Sequence, residues 1–230
     1  MKVRMMVSGM LALLALVTIG LSTASAAPYP QTSNKIKLHG AAGITLHGDS
    51  AIGTPVVYVD GKNVALKIDG DAYVVVNQSD IQNRSLDVTV PGYFKLDLQV
   101  PNGTIKVDNV EGPKTLVTEN GNVIVTNSTL DGDSNFTTQN GSLEFNGQLK
   151  LGSTSHFTGV NASIEVTLPG DTKLHLKANA SNSGNLTGNF NGLPSNAPQS
   201  FDGYLNANPG DYVAELSFSV VNGSMKLNHQ

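Results

Sequence analysis

The sequence contains no cysteine and no tryptophan, and charged side chains make up only 14% of it. Without cysteine there is no disulfide, no thiolate metal ligand and no thiol nucleophile. Packing and backbone hydrogen bonds must hold the fold. Beyond the first few residues the only arginine is Arg84. Without residues 1–26, 12 basic side chains face 18 acidic ones, a net charge of −6. Nucleic acids and anionic lipids are bound through clustered Lys and Arg, so neither is an expected partner. A helical apolar period is also missing beyond Ala26, which excludes amphipathic helices.

The start of the chain reads as an export signal. Lys2 and Arg4 supply a positive n-region, Met10 to Leu21 is nearly all apolar, and Ala24-Ser25-Ala26 is a small-residue cleavage site. The apolar run is shorter than the ~20 residues of a membrane span. The mature chain is expected to begin at Ala27, secreted or extracytoplasmic, with no membrane span after signal removal. Residues 27–34, with Pro28 and Pro30, read as a flexible leader, and residues 35–230 as one domain.

Within that domain a phrase returns four times: Asn102-Gly103-Thr104-Ile105-Lys106-Val107, Asn120-Gly121-Asn122-Val123-Ile124-Val125, Asn140-Gly141-Ser142-Leu143-Glu144-Phe145 and Asn161-Ala162-Ser163-Ile164-Glu165-Val166. A fifth copy closes the chain, with Asn222-Gly223 before Met225 and Leu227. Leu98, Leu116, Phe136, Phe157 and Phe218 stand at one fixed offset before the second turn residue in the five copies. Side chains at even offsets along an extended arm share one face. Each unit is therefore two strand arms bent at a turn, facing Leu98, Ile105, Val107, Leu116, Val123, Val125, Phe136, Leu143, Phe145, Phe157, Ile164, Val166, Phe218, Met225 and Leu227 to a common interior. Gly reaches positive φ without steric cost, and Asn tolerates it better than most residues.

Extending the register outward at nearly even spacing places further turns at Ala42, Lys62, Arg84, Gly184 and Gly203. The pattern thins into Asn, Ser, Gly and Pro over 178–211, expected as a long surface loop or a loosened unit. A period of roughly 20 residues with two arms per repeat suggests an all-β, parallel β-solenoid. Asn-Gly between alternating apolar residues equally suggests antiparallel hairpins in a meander or sandwich, and the periodicity alone leaves both open. In a solenoid, unpaired end coils would invite self-association.

The turn phrase, carried by Asn102 to Val107, Asn120 to Val125, Asn140 to Phe145, Asn161 to Val166 and Asn222 to Leu227 behind an export signal, resembles the "putative adhesin" β-strand-repeat family of exported bacterial proteins. The resemblance covers roughly 86–166 well, 36–81 loosely and the Asn/Ser-rich stretch poorly. It implies a solenoid-like stack of strands outside the cytoplasm, and it carries no binding residues to transfer. The chain departs from it in ending on a bare Asn228-His229-Gln230 tail without a capping helix.

Chemistry-bearing motifs are sparse. Gly48-Asp49-Ser50 and Gly132-Asp133-Ser134 lack the base and orienting group a serine nucleophile needs, and read as turns. The five histidines, His39, His47, His156, His175 and His229, show no metal-ligand spacing, though His39 and His47 could meet on adjacent strands. Asp131-Gly132-Asp133-Ser134-Asn135 opens like a calcium loop, but Phe136 replaces the required Gly and Ser142 the bidentate Glu. Asp87, Asp108, Glu144 and Glu165 fall singly at outward strand positions, a solvated face rather than a carboxylate pair. The Asn-x-Ser/Thr triplets at Asn102, Asn127, Asn140, Asn161, Asn185 and Asn222 follow from the turn pattern and imply no glycosylation. No catalytic residue, cofactor or metal is expected. The expected function is a non-enzymatic adhesin-like or scaffold protein of the cell surface, meeting a surface polymer or protein. A polysaccharide-binding or polysaccharide-active solenoid is the alternative.

Overall fold

Val, Ile, Leu, Phe and Thr alternating with polar residues make extended arms, because β-branched and aromatic side chains pack well on a pleated surface. The computed structural model describes residues 33–182, 184–194 and 199–230. The signal segment and all of the expected leader except Ser33 and Asn34 lie outside them. In chain order the strands are β1 (Lys35–His39), β2 (Gly43–Gly48), β3 (Val56–Val59), β4 (Lys62–Val64), β5 (Leu66–Asp69), β6 (Ala72–Val75), β7 (Ser85–Val90), β8 (Lys95–Asn102), β9 (Ile105–Asp108), β10 (Lys114–Leu130), β11 (Ser134–Leu149), β12 (Thr154–Leu168), β13 (Leu174–Ala180), β14 (Asn185–Gly188), β15 (Ser200–Leu205) and β16 (Ala214–His229). One 3₁₀ turn, Gln78–Asp80, interrupts them. The protein is all-β, and its strands join in one open sheet that does not close into a barrel.

Most pairing is parallel and in register at the repeated turns. Ile105 pairs with Val123, Val123 with Leu143, Leu143 with Ile164, and Ile164 with Met225. The antiparallel hairpin that Asn-Gly also suggests does not form there. Before the turn, Leu98, Leu116, Phe136, Phe157 and Phe218 run in a second file. Each layer is thus two arms around a turn. Asn127, at φ 49°, makes a further corner in β10, where the register against β11 shifts by one residue.

The spatial order of the layers differs from their order in sequence. The first arms pair in the order β6, β1, β8, β10, β11, β12, β16, β13. The second arms follow β7, β2, β9, β10, β11, β12, β16, β14. Ala42, Arg84 and Gly184 hold turn positions in this register, since Ile44 pairs with Leu86 and Ile105, and Leu186 with Met225. Lys62 and Gly203 do not. Lys62 lies just past the β3–β4 hairpin turn at Asp60-Gly61, and Gly203 lies in β15, antiparallel to β13.

These antiparallel strands cover the ends of the stack. β5 lies on β6, β3 on β7 with β4 beyond it, and β15 on β13. The polar C-terminal tail needs no capping helix, because β16 is an interior layer between β12 and β13–β14. Residues 178–211 are accordingly not one long loop: they hold the end of β13, all of β14 and all of β15. Asn34, at the end of the expected leader, is tied to β8 by its carbonyl, which accepts the Lys95 N–H at 2.7 Å.

The core is one continuous apolar cluster running through every layer. Leu98, Ile105, Val107, Leu116, Val123, Val125, Phe136, Leu143, Phe145, Phe157, Ile164, Val166, Phe218, Met225 and Leu227 are all buried in it. Phe136 and Phe157 stack at 4.4 Å with rings 5° apart, and Phe218 meets Phe157 edge-on at 5.9 Å. Such pairs add about 0.5 to 1.5 kcal/mol beyond their burial.

Candidate binding groove

The repeated turn builds an exposed ladder of side-chain amides. The Asn120 amide donates to Asn102 at 2.9 Å, Asn140 to Asn120 at 2.8 Å, Asn161 to Asn140 at 2.8 Å, Asn222 to Asn161 at 2.9 Å and Asn182 to Asn222 at 2.8 Å. Identical amides on in-register strands lie one strand spacing apart, within reach of each other. The expectation that Asn serves these turns by tolerating positive φ is corrected here. Of the ladder members only Asn182 has positive φ. The second turn residue is small because the layers nearly touch. A Cβ on Gly121 would stand 1.7 Å from the Gly103 carbonyl oxygen, one on Gly141 1.9 Å from that of Gly121, and one on Gly223 1.8 Å from that of Ala162. Gly103 is held the same way against Ala42. Ala162 fits because Gly159 leaves room; a Cβ there would lie 2.6 Å from that of Ala162.

The histidines are scattered. His39 is on a first arm opposite Gln99 and His47 on a second arm opposite Asp108, so they do not meet on adjacent strands. Three have a carboxylate each: His39 Nε2 is 2.9 Å from Asp97, His47 Nδ1 3.1 Å from Asp108, and His175 Nε2 2.6 Å from Asp202, while His156 meets the Ser217 hydroxyl and His229 the Gln230 carbonyl. His175 also stacks on Tyr204 at 4.4 Å. Asp108 accepts the Asn127 amide and the Thr126 hydroxyl, both at 2.8 Å. The Asn127 bond first, with Thr126 and His47 behind it, holds this carboxyl below its ordinary value against the opposing effect of desolvation. Asp49 caps the Ala51 N–H at 2.8 Å, and Asp131 pairs with Lys150 at 2.9 Å. Asp49 and Ser50 lie in the turn after β2, and residues 131–133 form the bend between β10 and β11, with Ser134 already in β11. Glu165 faces Lys226 at 3.0 Å.

A lysine in the core was not anticipated. Lys114 stands in a first-arm file between Leu96 and Ser134, is 0% exposed, and donates to the carbonyls of Val110 at 2.8 Å, Gly112 at 2.9 Å and Thr129 at 3.2 Å. Burial lowers its pKa to about 7, with Glu111 opposing. The file continues through buried Ser134 and Ser155. Ser155 Oγ has no hydrogen-bond partner among the described residues. The pattern in the sequence signals this break, since Lys114, Ser134 and Ser155 occupy inward positions where apolar residues belong.

Beside Lys114 the short segments around Tyr93, Glu111 and Thr129 pair in parallel, one layer on the next. They form one wall of a cleft of about 560 Å³. Buried Val110 and Ser50 also line it, and Asn109 and Asn127 stand at left-handed corners with φ 58° and 49°. Tyr93 is 45% exposed as a residue. Asn109 Nδ2 donates to the Gly48 carbonyl at 2.9 Å and Asn127 Nδ2 to Asp108. Both amides are thereby fixed, with their oxygens left over to accept. Glu111 is 3.6 Å from Lys150, which also holds Asp131. The Asp131 hydrogen bond and charge raise the Lys150 pKa, so it stays cationic beside the cleft.

No protein-family model matches the chain and no curated protein matches it, so the family resemblance rests on the turn phrase alone. Among solved structures, the chain is similar to one described as a "putative cell adhesion protein" from Clostridium sporogenes, at 12% identity and a TM-score of 0.45, over 87% of this chain and 95% of that one.

Proposed function

We propose that the chain is a β-solenoid that works outside the cytoplasm as a non-enzymatic adhesion or scaffold module of the cell envelope. The observation that carries this is its outer face. On the first arms, Thr115, Asn135, His156 and Ser217 pair in one outward row, and Val117, Thr137, Thr158 and Ser219 in the next. Short, mostly polar side chains on a rigid strand stack give a flat, repetitive surface suited to lying along another polymer. The negative net charge points away from nucleic acid and toward a neutral polymer or a protein. The test is adhesion of beads coated with the exported full chain to isolated cell-envelope material. Retention above that of beads carrying an unrelated acidic protein is expected, and equal retention refutes the reading. The cleft at Tyr93 favours the polysaccharide-binding form of this function.

A further inference from the structure

We infer that the cleft between Ser50, Tyr93, Glu111 and Asn127 is a binding site for an uncharged polysaccharide, taking one or two sugar units of the chain. The inference rests on the adhesion reading and gives it a ligand class. Several observations converge. Tyr93, which lines the cleft, is 45% exposed as a residue, although an aromatic of that size is ordinarily worth burying. The apolar C–H face of a pyranose can cover such a ring, removing both surfaces from water. Around it the hydrogen-bonding groups are those that match sugar hydroxyls: the Glu111 carboxylate, the Ser50 and Thr129 hydroxyls, and the oxygens of Asn109 and Asn127.

The site is also preorganised. Asn109 and Asn127 are locked by their own Nδ2 bonds to Gly48 and Asp108, and the wall is anchored from within by the three carbonyl contacts of Lys114. Little side-chain entropy is then lost on binding. The volume, about 560 Å³, lies in the ordinary range for small-molecule pockets. Charge decides between sugar classes. Glu111 and nearby Asp131 oppose a uronate or phosphate, and Lys150, held on both, opposes a cationic amino sugar. A neutral glycan meets neither obstacle. Strand stacking sets Tyr93 and Thr129 two layers, about 10 Å, apart, a span that more than one sugar ring can bridge.

The experiment titrates the exported full chain with cellohexaose, chitohexaose and maltohexaose, following the Tyr93 ring signals by NMR. Binding of at least one is expected, with Tyr93 shifted. Tyr93→Ala should weaken that binding by about tenfold or more and Tyr93→Phe should keep it, because the ring face and not the hydroxyl does the stacking. Glu111→Gln should weaken it several-fold. Tyr93 is exposed, so these variants should fold as the parent does. Absence of binding to all three sugars overturns the site, as does binding that Tyr93→Ala leaves unchanged. The bead assay separates the two readings. Retention on envelope material that Tyr93→Ala does not reduce sinks the cleft and leaves adhesion standing. Sugar binding without retention does the reverse.

Discussion

Lys114 makes a prediction whose sign is unusual. Its amine is fully buried, and burial lowers the pKa from 10.5 to about 7. The folded chain therefore releases this proton near pH 7, whereas the unfolded chain holds it to about 10.5. Between those values the unfolded state carries more protons, so stability rises with pH by roughly 1.4 kcal/mol per unit. Below pH 7 both states are protonated, and the buried charge costs the fold roughly 4 to 5 kcal/mol in full. The three carbonyl acceptors favour the charged form, which acts on the pH at which the rise begins and leaves its slope unchanged. From pH 7 to 9 the gain is about 2 kcal/mol, or roughly 4 to 8 °C in Tm for a domain of this size. Urea unfolding and thermal melts at half-unit pH steps measure it. Lys114→Met keeps the length and removes the proton. Val110 and Thr129 carbonyls retain the backbone donors Thr129 N–H and Gly112 N–H, at 3.2 and 3.1 Å, so the variant should fold, with a flat profile across the window. A wild-type profile that is flat or falling from pH 7 to 9, or a Met variant with the parental slope, refutes the account.

The amide ladder should show position dependence: Asn140→Ala removes two ladder bonds and should cost about 1 to 2 kcal/mol in urea unfolding, roughly twice the cost of Asn102→Ala, which removes one. Gly121→Ala drives a methyl into the Gly103 carbonyl and should cost more than about 3 kcal/mol or abolish soluble expression, whereas Gly53→Ala, with nothing within 4 Å, should leave the melting temperature unchanged. Ser155→Ala removes a buried hydroxyl that has no partner and should be neutral or stabilising by up to about 1 kcal/mol; a loss of similar size would show that the hydroxyl is satisfied in solution. N-terminal sequencing of the exported protein should begin at Ala27, and a chain retained in the cytoplasm with Met1 intact would remove the extracytoplasmic assignment.

The central layers were legible in the sequence because two periods agree there. Alternation places Val123, Leu143 and Ile164 inward, and the even spacing of the turns puts them at equivalent points of successive units. The choice between parallel layers and hairpins was not legible, since a meander would repeat the same alternation; the in-register pairing of Ile105, Val123, Leu143 and Ile164 decides it. The layer order was not legible. Ile44, Leu86 and Leu186 carry the same alternation as Val123, and nothing in an arm says which neighbour it pairs with. One signal at the ends was readable and misassigned. Asp60-Gly61 and Gly70-Asp71 between apolar arms are hairpin turns, and the turn position expected at Lys62 falls on the first of these hairpins rather than on a further coil. The cleft was hidden for a different reason. Tyr93, Glu111 and Thr129 recur in the sequence at the spacing of any other outward row, and only the left-handed corners at Asn109 and Asn127 turn that row into one wall of a cavity.

The swapped layers explain how this stack, which has no α-helix among the described residues, covers its outer layers. A simple repeat protein places its first and last strands in its outermost units, where one face has no neighbour. Here each of them lies one layer inside. β1 and β2 sit between β6–β7 and β8–β9, and β16 sits between β12 and β13–β14. The outermost layers are internal segments, and β5, β3 and β15 fold back antiparallel on β6, β7 and β13, while β14 has no such cover among the described residues. The exposed edges that remain among the described residues belong to strands of three to six residues, β4, β5, β14 and β15, which are poor templates for a second molecule. The arrangement requires long closures: Asn109 reaches Gly48 and Asn222 reaches Asn161, each across 61 residues, against 18 to 21 between central neighbours. Such contacts slow folding, and in return the stack cannot fray from its first or last strand, because releasing either one opens an interior layer and the apolar file running through it.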